Sequence, residues 1–336
     1  MVAVGEHGSQ SDAVRSRLWL KRTLLGLAGL GVLALGLLAG PAPLEAPGVF
    51  GLRLGRTLLG LLSGAALGLA GASMQGLTRN PLADPFLTGV SAGSGVGLAL
   101  AVLLGVGSAS IPGLLGRQAA AFAGGAGAGL LVWGLAGRRR SGAGLIVAGV
   151  VVNAALSGVI LLILAWLPLW SQGAVLGWLM GDLARPHAEA VPLVIGAGLL
   201  VLALIRLLTL DRELDALGLG EERAHSLGVD ARSVRRNVLL AAALATAVAV
   251  SLAGIIPFVG LIAPHLARNA GVRLHRSLLP MSALLGAALT MAADNLVRLA
   301  ASYLGLPGVP VGAALAVVGG AYFFVVFRRR RRGELL

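Results

Sequence analysis

Long apolar stretches alternate with short polar ones from residue 18 almost to the end of the chain. A spanning helix needs about 20 apolar residues at ~1.5 Å rise each. Windows of that kind fall near 18–39, 54–78, 87–107, 114–136, 143–168, 190–209, 236–255, 278–302 and 310–327. A shorter apolar piece over 255–268 is interrupted by Pro257 and Pro264. Broken helices are tolerated at membrane depth only where protein or a water-filled cavity surrounds them, so this piece reads as a tenth, short crossing. The pattern predicts an all-α, polytopic membrane protein of about ten transmembrane helices. It forms one domain over 18–327, with an N-terminal tail over 1–17 and a basic tail over 328–336.

Basic residues orient the bundle. With both termini cytoplasmic, 22 of the 27 Lys and Arg fall in inner segments and 4 in outer ones, Arg53, Arg56, Arg117 and Arg185, while Arg298 lies late in the ninth crossing, the window at 278–302. Cytoplasmic loops carry the excess of Lys and Arg, so an even number of crossings is predicted. Arg138, Arg139 and Arg140 and the five arginines of 328–332 read as topology anchors, the tail also suiting anionic lipid. The first window follows Arg15, Arg17, Lys21 and Arg22 and shares features with a signal peptide; it is long for one, and the later spans need a first helix to orient them. Two longer polar stretches remain. The outer one, 167–190, carries Trp170, Trp178, Asp182, Arg185, His187 and Glu189; the inner one, 210–235, reads as two short helices.

Composition agrees with a membrane bundle. Hydrophobic residues make up 57% of the chain, charged residues 12%, and mean hydropathy is +0.89, outside the soluble range. The 51 glycines would disfavour helices in water but let helices approach closely in lipid. A net charge of +13 with only 4% aromatic residues offers no base-stacking surface, so nucleic acid is not a partner. The chain has no Cys, and hence no thiol chemistry. No HExxH, GxSxG or Walker A pattern occurs, and His7, His187, His225, His265 and His275 are scattered. The Gly-rich run at 124–129 lacks a following Lys-Ser/Thr and reads as a helix-packing surface. The chain is therefore read as no enzyme, and any ATP hydrolysis belongs to another chain.

Residues 71–93, GASMQGLTRNPLADPFLTGVSAG, place a polar hinge between two membrane-length segments. With Gln75, Arg79, Asn80, Pro81 and Gly89, this stretch resembles the signature of permease subunits of bacterial ABC importers for iron-siderophores, haem and vitamin B12, the FecCD-type family. Two further blocks occur in family order. Leu219, Gly220, Glu221, Ala224, Leu227 and Gly228, with Leu217 before them, match the family's ATPase-coupling pattern, a rod that sits in a groove of a partner ATPase; the alternative is a helix lying on the membrane surface. A proline at Glu221 is expected to break that helix. Phe258, Gly260, Pro264 and His265 match the third block, with Pro257 where the family has a small residue. His265 is read as structural in preference to a haem ligand or proton relay, because Pro264 frees a carbonyl that needs polar company. Asn153, polar within the fifth span, either lines the path or bonds to a neighbouring helix.

The resemblance implies a type II ABC importer permease fold that works by alternating access as a homodimer in the bacterial cytoplasmic (inner) membrane. Its implied partners are a cytoplasmic ABC ATPase dimer carrying ATP and Mg, and a periplasmic or lipid-anchored binding protein. The chain itself is expected to bind no cofactor or metal. The implied substrate is a metal chelate, with ferric siderophore first, haem next and cobalamin as the alternative. It also implies that Arg53, Arg56 and Arg298 dock the binding protein; the alternative is snorkelling to lipid phosphate. Locally, Asp294 is expected to pair with Arg298 at i+4. From other classes, an ATP-independent secondary transporter would draw on Asp294 for ion coupling, and a membrane-embedded enzyme lacks a catalytic cluster.

Overall fold

The structure, a computed structural model, describes residues 29, 31, 32, 34–38, 46–107, 110–136, 142–184, 190–305 and 308–331. The tail over 1–17, Lys21 and Arg22, Arg138 to Arg140, Arg185, His187 and Glu189, and residues 332–336 lie outside the described residues.

After a first helical segment through residues 34–38, the chain forms α1 (Val49–Thr78), a 3-10 turn (Pro85–Thr88), α2 (Val90–Leu103), α3 (Ile111–Leu135), α4 (Gly142–Trp166) and α5 (Leu169–Leu179). There follow α6 (Ala190–Leu208), α7 (Asp211–Gly218), α8 (Glu221–Ser226), α9 (Ala231–Ala253), α10 (Val259–Asn269), α11 (His275–Leu304) and α12 (Val311–Arg331). Six of these, α1, α3, α4, α6, α9 and α11, are long and apolar enough to cross a membrane. No strand occurs among the described residues.

From residue 54 onward each expected crossing has a helix among the described residues, with two differences, while the first, 18–39, lies mostly outside the described residues. The window at 87–107 yields only the 14 residues of α2, about 21 Å against a ~30 Å hydrocarbon layer. Pro85 opens a separate 3-10 turn, and Gly89 at φ 73 turns the chain before α2 begins, a conformation that suits glycine. The stretch at 167–190 is not all loop, because Pro168 starts the 11-residue α5 and Gln172 Nε2 donates back to Leu167 O at 2.9 Å. Its far end docks on the bundle through Asp182 N–H to Ala253 O (3.0 Å) and Gly312 N–H to Gly181 O (3.1 Å).

Helix packing is set by missing side chains. A Cβ on Gly68 would stand 2.0 Å from Ser282 O, and one on Gly71 would stand 1.8 Å from Gly260 O, so α1 touches α11 and α10 backbone to backbone. Gly64 and Gly286 meet in the same way. Between α2 and α3, Gly93 faces Gly124 and Gly97 faces Ala120, so the Gly-rich run supplies a packing surface. In lipid there is no hydrophobic drive between helices, and close backbone approach supplies the contact energy. α1 and α9 consequently sit at the centre with 78% of their spanning windows buried, whereas α4, apolar all round, is only 22% buried and belongs to the periphery.

Candidate functional site

Polar side chains collect in three places: one end of the bundle, a cavity beside the α1–α2 hinge, and the opposite end.

At the first place α1 and α11 face each other. Arg56 grips Asp294 in a forked pair, Nη2 to Oδ1 at 2.7 Å and Nε to Oδ2 at 2.9 Å. The carboxylate is fully buried and the guanidinium one-fifth exposed. Asp294 was expected to pair one turn along its own helix, with Arg298; it closes instead on a partner 238 residues away in sequence, because a guanidinium from the facing helix can meet both oxygens. Arg53 donates to Leu38 O at 2.7 Å and Leu37 O at 3.3 Å, and Arg298 to Gly36 O at 3.3 Å. The arginines thus hold backbone carbonyls of the first helical segment, which Asn295 also ties through Val32 O at 2.9 Å. Arg53 is only 7% exposed, so of the residues expected to dock a partner, Arg56 and Arg298 are the more accessible.

The hinge begins where α1 stops. Arg79 takes left-handed φ 52, Asn80 Oδ1 accepts Leu82 N–H at 2.9 Å, and exposed Pro81 prevents helix continuation. One turn earlier, buried Gln75 links α1 to α10. Its Nε2 lies 3.4 Å from Gly260 O and its Oε1 accepts Arg268 Nη1 at 2.5 Å. Gly260 O is the carbonyl left free by the missing N–H of Pro264. The polar company expected from His265 therefore comes from Gln75, while His265 packs edge-on to Tyr322 with centroids 6.1 Å apart. Phe258, just before α10, holds φ 67, a costly region for a bulky residue. Its ring sits where Gly319 has no side chain and stacks at 6.1 Å on Phe323.

Between the hinge, α4 and the start of α10 lies an open cavity of about 700 Å³, lined in part by Asp84, Phe86, Ser91, Asn153, Ser157 and Phe258. Asn153 is thereby placed on the cavity wall, and Gly89 packs on Val152 next to it. Asp84 caps the 3-10 turn by accepting Phe86 N–H at 2.8 Å. Burial pushes its carboxyl up from 3.8 to about 6, against the lowering effect of that hydrogen bond. A raised carboxyl pKa means that the folded state holds the proton more tightly, so stability falls as pH rises from 3.8 towards about 6 and stays low above it. Asp84→Asn keeps an oxygen for the cap and removes the charge. The gap in thermal midpoint in detergent between this variant and the unmodified protein is expected to widen in the variant's favour through that window and then level off. A pH-independent gap would show that Asp84 does not titrate there.

At the opposite end, α7 and α8 lie under the bundle. Leu217 and Ala224 are buried anchors, and Leu219 and Leu227 stand 60% and 65% exposed. Gly220 (φ 113) and Gly228 (φ 80) turn the chain on either side of α8. Glu221 pairs with the buried Arg235 of α9, and a groove of about 590 Å³ runs past Glu221, Glu222, His225, Asp230 and Arg232. Glu221 is the first helical residue, a position where proline is tolerated, so the expected break at 221 does not hold. Ala224, whose N–H bonds to Gly220 O at 2.9 Å, is where proline would disrupt α8. Sequence reading did not single out Asp84, Asp215 or Arg235. Asp215 and Arg235 act through partners on other helices, whereas Asp84 caps its own turn and gave a local signal, as an Asp before Pro85.

A helical bundle with several helices long enough to cross a membrane, and with polar groups gathered at a cavity and at both ends, has the layout of a transport permease. The chain belongs to the FecCD transport family, which matches residues 30–329. It is 39% identical over 277 residues to the cobalamin import system permease protein BtuC of Halobacterium salinarum, covering 81% of this chain and 70% of that protein. It is 35% identical to the hemin transport system permease protein HmuU of Yersinia pestis, covering 81% and 80%. Among solved structures, an inward-facing metal-chelate type ABC transporter matches at TM-score 0.80 and 30% identity, over 91% of this chain and 97% of that one. The PsaBC complex of Streptococcus pneumoniae, at TM-score 0.54 and 13% identity, shares the fold.

Proposed function

We propose that this chain is the permease subunit of an ABC importer that moves a bulky metal chelate inward by alternating access. The observation that carries the reading is the 700 Å³ cavity between the hinge and α10, where the first and third motif blocks meet. Its wall combines apolar surface with a few polar groups, so a large cargo can pass without being trapped. A homodimer would join two such cavities along its axis. The α7–α8 segment, with exposed Leu219 and Leu227 and a charged groove, is the contact for a cytoplasmic ATPase dimer that carries ATP and Mg. In this reading both termini lie in the cytoplasm. The rim at Arg56 and Arg298 then faces a periplasmic or lipid-anchored binding protein.

Ferric siderophore, haem and cobalamin are the candidate cargoes. The names of the relatives favour a tetrapyrrole, cobalamin or haem, over the siderophore expected from sequence. The experiment is ATP-driven uptake in proteoliposomes that contain the permease, its ATPase and the binding protein, run with each chelate. Accumulation of one chelate only with ATP supports the reading; uptake driven by an ion gradient without the ATPase refutes it. That second result is not expected, because Asp294, the acid an ion-coupled carrier would use, is held by Arg56. Ala224→Pro is expected to leave the bundle folded and lower uptake per ATP hydrolysed by about tenfold or more. Normal coupling in that variant would remove α8 from the contact.

A further inference from the structure

α7 is fastened to the bundle by apolar packing of Leu214 and Leu217 and by one polar contact. Asp215 Oδ1 lies 2.5 Å from His275 Nδ1 and accepts the backbone N–H of the same residue at 3.2 Å. His275 is the first residue of α11, and Leu274 before it offers no side-chain cap. Asp215 therefore supplies from another helix the acceptor that a capping residue would supply locally. Since a carboxylate only accepts, Nδ1 carries the shared hydrogen.

The other side of the ring faces α1. A Cβ on Gly76 would fall 2.3 Å from His275 Nε2, and Nε2 is buried without a protein partner. The imidazole is thus a wedge seated in α1, α11 and α7 at once. Apolar contacts are non-directional and let surfaces slide, whereas a carboxylate that binds both the ring and the backbone of one residue fixes distance and angle.

α1 and α11 each run 30 residues and touch backbone to backbone at Gly64 and Gly68, so they move as a pair. His275 and Asp294 sit on the same helix, about 28 Å apart along its axis. Gly76 and Arg56 are spaced about as far along α1. The helix pair wedged by His275 is the pair locked at the other end by Arg56 and Asp294.

We propose that the His275–Asp215 pair is the joint through which movement of α7 is passed to the α1–α11 pair, and so to the arginine cluster at the opposite end. His275 is a positioning residue in this scheme. The proposal rests on the reading of α7–α8 as the ATPase contact, and it names the route by which that contact is felt at the docking rim. The second tie of the segment, Glu221 to Arg235, leads into α9 instead.

The test uses the full permease with its ATPase and binding protein in proteoliposomes. Asp215→Ala is expected to keep complex assembly and to hold ATP hydrolysis within about twofold, while uptake per ATP falls about tenfold or more. The nucleotide dependence of binding-protein affinity should vanish with it. Asp215→Asn, which keeps an acceptor oxygen, is expected to restore most coupling. Gly76→Ala, which pushes the ring off its seat, should reproduce the loss with both members of the pair unsubstituted. Normal uptake per ATP in Asp215→Ala overturns the proposal. Loss of assembly in both Asp215→Ala and Gly76→Ala also overturns it, because the pair is then only a brace. The underlying reading fails separately: the chain has no cysteine, so absence of any cross-link from Glu222→Cys to the ATPase in an otherwise unmodified complex refutes the contact itself.

Discussion

Asp294→Ala is expected to destabilise the protein by about 3–5 kcal/mol, the range for breaking a buried ion pair by removing one partner. The carboxylate is fully buried and takes both arms of Arg56, with Arg53 and Arg298 close by. Without it, the three neighbouring guanidinium groups of Arg53, Arg56 and Arg298 lose the carboxylate that faces them. The measurement is the thermal midpoint in detergent and the yield of folded protein. Asp294→Leu combined with Arg56→Met is expected to recover most of the loss, because it removes both charges together. If Asp294→Ala alone matched the unmodified protein, the pair would carry no structural weight.

The same geometry changes how a docking role for Arg56 has to be tested. Reversal of Arg56 alone would set two carboxylates against each other and confound docking with unfolding. Arg298, half-buried and attached to Gly36 O, is the cleaner probe. Arg298→Gln keeps a donor for that carbonyl and removes the charge. Weaker binding-protein affinity at low salt with an unchanged midpoint is the expected result; unchanged affinity would take Arg298 out of the docking set.

Gly71→Val is the second large effect. The nearest atoms to its Cβ would be Gly260 O, C and Cα at 1.8, 2.5 and 2.6 Å, all backbone, so no side chain can swing aside. Overpacking of a tight core costs about 1–3 kcal/mol and sometimes more, and this site belongs at the upper end. The same shift would draw Gly260 O further from Gln75 Nε2, already 3.4 Å away. Gly158→Ala is the matched control: nothing lies within 4 Å of its added Cβ, and alanine is favoured over glycine in a helix by about 1 kcal/mol. Thermal midpoints of the two variants should move in opposite directions. Equal behaviour would mean that the α1–α10 contact is looser than its geometry.

The membrane bundle was legible because its signal is local: apolar length gives the spans, and Pro and Gly give the breaks at Arg79, Pro85 and Pro257. The two short helices in 210–235 were legible for the same reason, through Gly220 and Gly228. Partnerships were not. Asp294 has Arg298 within a turn, and nothing in the chain says that Arg56 will reach it first. Pro264 announced an orphaned carbonyl, yet Gln75, almost two hundred residues earlier, supplies its donor. His275 and Asp215 are both unremarkable in sequence and meet only because α7 folds back under α11. The arginines stood out as exceptions to the charge bias, but nothing local tells that they will grip carbonyls of the first helical segment.

One consequence follows from the length of α2. Fourteen residues reach about 21 Å into a layer of ~30 Å. Beyond its start the wall is no longer helix but the open peptide of the 3-10 turn, with Asp84 set in it. An irregular turn leaves backbone groups that a longer helix would bind within itself, so a cargo with amides or hydroxyls on its periphery would find partners there. A larger side chain at Gly89, whose Cβ would stand 2.9 Å from Val152, would press on α4 and crowd that stretch.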